Sequence, residues 1–238
     1  HVTTPGHGGL DRIRRPMTGT SLDRAAVIDR ILAMDERLLR LSGGRTRLLP
    51  VTKAFGPEAV EAVLAAGHVA VGENYAQELL AKHEALAGLP IAWHMIGGVQ
   101  RNKVRGLAGV VALWQTVDRP ALVAEVARRS PGDRILLQVD CLGMPGRGGC
   151  PPDEVESLAA GAVAAGLEVV GLMTVGAPGD GDETGRAFRT VARLADDLGL
   201  EERSMGMSDD LEMAIDHGST MVRIGRALFG DRVVCQDS

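Results

Sequence analysis

The sequence predicts one closed (β/α)8 barrel of the TIM type. Three observations carry that expectation. Short apolar stretches alternate with amphipathic ones eight times after a leading helix. The stretches are four to eight residues and most are rich in Val, Ile, Leu or Met, as strands buried on both faces should be. No Pro/Ser-rich linker or change of composition divides the chain. An open doubly wound sheet is the alternative, because the seventh strand is poorly marked.

The leading helix is expected over Ser21–Leu41, with Thr20 and Asp23 at capping-box spacing and Ile28, Ile31, Met34, Leu38 and Leu41 at helical intervals. The first strand reads Leu48-Leu49-Pro50-Val51-Thr52-Lys53. Pro57 opens the next helix and Gly67 closes it. Strands follow at Val69–Gly72, Ile91–Ile96, Val110–Thr116, Arg134–Val139 and Glu168–Val175. Helices lie between them, the second over Tyr75–Ala87. The seventh strand is expected near Arg203–Gly206, followed by a helix capped by Ser208, and the eighth at Met221–Gly225. Residues 1–16 are Gly- and Arg-rich without apolar periodicity and are expected to be a disordered extension, with Met17 as the start of a single domain over 17–238.

Composition narrows the function. Hydrophobic residues make up 45% of the 238, enough for a large core, but aromatics only 3%. The net charge is −5 with no basic run, which argues against nucleic-acid binding. Cys141, Cys150 and Cys235 have no metal-ligand spacing, and no metal constellation is visible. The odd cysteine count and the lack of a signal-peptide pattern lead to the expectation of a reducing cytoplasm, and no apolar run is long enough to span a membrane.

Barrel active sites collect at the C-terminal ends of the strands. Lys53 ends strand one there, where burial would free its amine as a nucleophile; reaching solvent is the equal alternative. Asn74 follows strand two, and His94 lies within strand three. Ser204-Met205-Gly206-Met207-Ser208 joins strand seven to a helix, and Gly225-Arg226 ends strand eight. Barrels frequently bind phosphate at these two loops. Closure brings strand eight and Arg223 beside Lys53. An amine, a cation and a phosphate pocket suit an aldehyde-bearing phosphorylated cofactor such as pyridoxal phosphate. Other phosphorylated ligands, a sugar phosphate among them, remain compatible with the residues.

Seven segments in order resemble the pyridoxal phosphate homeostasis protein family, whose fold is similar to the barrel domain of alanine racemase. They are Val51–Lys53, Gly72–Glu78, Trp93–Gly97, Gln100–Lys103, Gly171–Met173, Ser204–Asp210 and Met221–Gly225. The resemblance implies an internal aldimine of pyridoxal 5'-phosphate at Lys53 and Arg223 near the pyridine nitrogen. It implies phosphate contacts from Ser204, the Gly206–Met207–Ser208 turn, Gly225 and Arg226, with Asn74 and His94 lining the pocket. Gly98 and the Arg147-Gly148-Gly149 loop depart from the family pattern. The resemblance further implies a monomer acting on the vitamin B6 pool, with pyridoxal-phosphate-dependent apo-enzymes as possible recipients and no catalytic residues. The competing expectation is an amino-acid racemase. That reaction needs a second base, and the single tyrosine, Tyr75, reads as a packed or rim residue.

Overall fold

The computed structural model describes residues 22–144 and 146–230. The expected extension over 1–16 and the capping role of Thr20 lie outside those residues. The chain opens with α1 (Arg24–Ser42), whose N-cap is Asp23, its side chain accepting from the Ala26 N–H. Eight strand–helix units follow. They are β1 (Arg47–Pro50), α2 (Pro57–Ala65), β2 (Ala70–Glu73), α3 (Ala76–Ala85), β3 (Ala92–Met95), α4 (Arg101–Leu107), β4 (Val111–Val117) and α5 (Pro120–Arg129). Then come β5 (Arg134–Gln138), α6 (Val155–Ala164), β6 (Glu168–Met173), α7 (Gly181–Asp197), β7 (Glu202–Ser204), α8 (Leu211–Asp216), β8 (Met221–Ile224) and α9 (Arg226–Phe229).

All strand pairs are parallel, in the order β1-β8-β7-β6-β5-β4-β3-β2. β1 and β8 pair in register, Leu49 opposite Arg223. The ring is completed by a bridge between Val51 and Gly72, beside which the Thr52 N–H donates to the Gly72 carbonyl at 3.1 Å. The closed barrel therefore holds, and the open sheet does not.

Strand alternation sorts the core into two parts. Trp93, Met95, Trp114, Ile135, Leu137, Val222 and Ile224 face outward and pack under the helices. Leu49, Leu113, Leu136, Met173 and Met221 fill the barrel interior. His94, Gln115, Ser204 and Arg223 alternate with outward-facing neighbours and share that inner side, all of them buried. Truncating one of the fully buried leucines to alanine would cost about 2–5 kcal/mol, because a close-packed layer relaxes only partly around a void.

Three local expectations are corrected. β1 ends at Pro50, so Lys53 lies in the turn beyond the strand. β7 is shorter and begins earlier than Arg203–Gly206. Ser208 does not cap α8; Asp210 occupies the N-cap position, and its carboxylate accepts from the Met207 N–H at 2.5 Å, folding the intervening residues into a turn. Among the described residues no helix is long and apolar enough to cross a membrane.

Candidate functional site at the barrel mouth

A cavity of about 680 Å³ opens at the C-terminal end of the barrel. Lys53, Asn74, Met207, Ser208, Arg223, Gly225 and Arg226 line it, with Val51, Phe55, Ile96 and Met173 supplying apolar walls. The strands explain the placement. Alternation through Leu49 and Val51 carries Lys53 to the inner side, and Ala54 then turns the chain away with φ of +64°. A non-glycine residue in the left-handed region is held there by its surroundings. Here the Ala54 N–H donates to Glu78 Oε1 at 2.6 Å.

Arg223 projects inward from β8 and is 5% exposed. Its Nη1 donates to the carbonyl and hydroxyl oxygens of Ser204 at 2.7 and 2.8 Å, and its Nη2 donates to the Thr174 carbonyl at 2.8 Å. Burial pulls its pKa down to about 10, against the opposing pull of Asp210. The guanidinium thus stays charged at neutral pH. Gly225 brings the backbone of β8 against β1: a Cβ there would stand 3.2 Å from the Val51 carbonyl oxygen. The next residues open α9, whose first N–H groups have no acceptor within their own helix. Arg226 reaches Asp209 across the rim at 3.5 Å.

Three expected pocket residues lie elsewhere. Ser204, His94 and Gly206 do not line the cavity. Ser204 is fully buried beneath it and donates to Gln115 Oε1 at 2.7 Å. Gln115 Nε2 is in turn 2.9 Å from His94 Nδ1, so the ring accepts at Nδ1 and carries its hydrogen on Nε2. Burial, with the Arg47 cation second, pushes the His94 pKa down to about 4. Gly206 serves by conformation, with φ of +101° and the Ala214 Cβ only 2.5 Å from where its own Cβ would be. Tyr75 is 57% exposed and outside the cavity lining, a rim position.

The family described as alanine racemase, N-terminal domain, matches residues 22–233. A protein from Pseudomonas aeruginosa named pyridoxal phosphate homeostasis protein is 40% identical over 195 residues, covering 78% of this chain and 84% of its own length. This chain belongs to the pyridoxal phosphate homeostasis protein family. A second member bearing that name, from Aquifex aeolicus, is 37% identical over 218 residues, 87% of this chain and 95% of its own. Among solved structures, PipY of Synechococcus elongatus with PLP bound superposes with a TM-score of 0.76 at 28% identity, covering 86% of this chain and all of that one. Alanine racemase from Corynebacterium glutamicum shares the fold, with a TM-score of 0.70 at 22% identity over 91% of this chain and 63% of its own.

Sequence reading missed two members of the family site's supporting layer. Gln115, which links Ser204 to His94, was signalled by a lone amide directly after the apolar run Val111–Trp114. Lys82 was signalled by its position three residues after Leu79 on the inward face of α3, where a helix buries apolar side chains. Among the described residues no group of three or more His, Cys, Asp or Glu is placed to hold a metal ion.

Proposed function

We propose that this chain holds pyridoxal 5'-phosphate covalently on Lys53 and serves the vitamin B6 pool as a carrier. The observation that carries the reading is the convergence of Lys53, Arg223 and the Met207–Ser208 and Gly225–Arg226 turns on one cavity. The residues fit the group. The cavity exceeds a single small cofactor, its apolar walls suit an aromatic ring, and Gly225 keeps one wall at backbone level. In this reading Lys53 supplies the amine that condenses with the aldehyde, releasing water. Ser208, Arg226 and the backbone of the two turns hold the phosphate. Asn74 borders the ring. Ser204, Gly206 and His94 act one layer below, setting the shape of the elements that make contact.

When bound, the cofactor supplies an aldehyde and a ring able to withdraw electrons. Arg223, a cation lining the cavity, would disfavour protonation of the ring nitrogen if the ring lay against it. Tyr75, the single tyrosine, is exposed and does not line the cavity. Only the place of Tyr75 favours a carrier over a racemase; the cation does not discriminate, since racemases of this fold resemble the same arrangement. The names of the relatives from P. aeruginosa and A. aeolicus and the bound PLP of the S. elongatus neighbour support the same reading. The working form in this reading is a cytoplasmic monomer that exchanges cofactor with apo-enzymes.

The test is an absorption spectrum of purified protein with added cofactor, then borohydride reduction and peptide mapping. A visible band that reduction fixes on Lys53 supports the site. No band, or label on another lysine, overturns it. Racemisation of an amino acid by the pure protein, abolished by Lys53→Ala, would replace the carrier with an enzyme.

A further inference from the structure

A lysine other than Lys53 is buried beneath the cofactor turn. Lys82 projects from the second turn of α3 and is 3% exposed. Its ammonium donates to three oxygens, each at 2.7 Å: the Thr52 carbonyl, Glu73 Oε1 and Glu78 Oε1. Those oxygens belong to three different elements. Thr52 immediately precedes Lys53, Glu73 ends β2, and Glu78 lies one helical turn before Lys82 on α3. Two further bonds tighten the group. Thr52 Oγ1 donates to Glu73 Oε1 at 2.5 Å, and Glu78 Oε1 accepts from the Ala54 N–H at 2.6 Å. The residues on both sides of Lys53 are therefore fastened to one charge cluster.

The cluster is a costly arrangement for packing alone. A buried ion pair gains little over apolar side chains of the same volume. Glu73 is fully buried, and its Oε2 has no hydrogen-bond partner. What the cluster does supply is a fixed register for a strained turn, since Ala54 at φ +64° needs an acceptor for its N–H in that conformation.

We infer that Lys82, Glu73 and Glu78 form a clamp that positions Lys53 for covalent attachment of the cofactor. Lys82 and the two carboxylates are positioning residues; none of them lines the cavity. The inference rests on the proposed role of Lys53.

Glu78 is the member to test, because it is partly exposed and its loss leaves the buried Lys82–Glu73 pair in place. The variants are Glu78→Ala, which removes the acceptor, and Glu78→Gln, which keeps an amide oxygen there. Stopped borohydride reduction gives the rate at which pyridoxal phosphate becomes fixed on Lys53, and amide exchange gives protection of the Ala54 N–H. The expected result is a rate about tenfold lower and loss of Ala54 protection in Glu78→Ala, the scale of one hydrogen bond, with both largely restored in Glu78→Gln. Cooperative melting of both variants is the control. Attachment at the wild-type rate in Glu78→Ala overturns the clamp, as does an equal fall in the two variants. If the wild type itself fixes no cofactor, the proposed function fails instead. The clamp is then judged by Ala54 protection and by the acetic anhydride labelling rate of Lys53, both of which must change in Glu78→Ala alone.

Discussion

Arg223 and Ser204 are joined twice, Nη1 of the arginine reaching both the carbonyl and the hydroxyl oxygen of the serine. The hydroxyl spends its own hydrogen on Gln115. The guanidinium at the cavity floor is thus aimed by a buried amide–hydroxyl chain rather than by a carboxylate.

Ser204→Ala breaks that chain at its centre. It removes one acceptor of Arg223 and leaves Gln115 Oε1 without its donor in a buried site. The expected loss is about 1–3 kcal/mol in urea unfolding, because an orphaned buried polar group costs its desolvation. Cofactor titration should show affinity weakened by about tenfold, on the same energy scale.

His94 gives an acid-linked term. Its folded pKa of about 4 lies below its ordinary value of 6.5, so on acidification the unfolded chain takes up the proton first. The contribution is fully present above about 6.5 and is lost as pH falls toward about 4. The size is on the order of 3 kcal/mol. Comparing wild type with His94→Gln at each pH isolates it. The stability difference between the two should shift against the wild type between those limits and be flat above neutrality.

Gly206→Ala forces a Cβ onto Ala214 in a backbone region hostile to side chains. Destabilisation of about 2–4 kcal/mol is expected from strain and overpacking together. Thermal melting should detect it. A variant as stable as wild type would mean that the turn relaxes.

Lys53→Ala should leave melting nearly unchanged, within about 1 kcal/mol, since the side chain is only half-buried. The same variant should take up no cofactor that borohydride can fix. Mass measurement after reduction decides it: a retained adduct would place the covalent bond elsewhere.

The barrel was legible because its strands are apolar runs and its helices are not. Arg223 and His94 could be assigned inward by counting alternate residues from outward-facing neighbours such as Val222 and Trp93. The seventh strand was hard to place because its three residues, Glu202, Arg203 and Ser204, carry no apolar signature at all. Ser208 and Asp210 are both good helix caps in sequence, and only the turn that the Asp210 carboxylate closes with the Met207 N–H decides between them. Lys82 was hidden for a different reason. A lysine on a helix is ordinarily solvated, and its burial depends on two carboxylates and a carbonyl that meet only once β1, β2 and α3 are assembled.

The pairing of β1 with β8 has a consequence for synthesis of the chain. Lys53 and Arg223 are 170 positions apart (223 − 53), and Leu49 meets Arg223 only when the last strand has joined the first. Contacts of such sequence separation form late, after the loop-closure entropy of the whole ring has been overcome. A nascent or truncated chain that stops before Met221 has the amine but neither the cation nor the Gly225 turn. In the proposed reading, capture of the cofactor on Lys53 therefore requires that β8 has joined β1, and molecules lacking β8 would not withdraw a reactive aldehyde from circulation at this site.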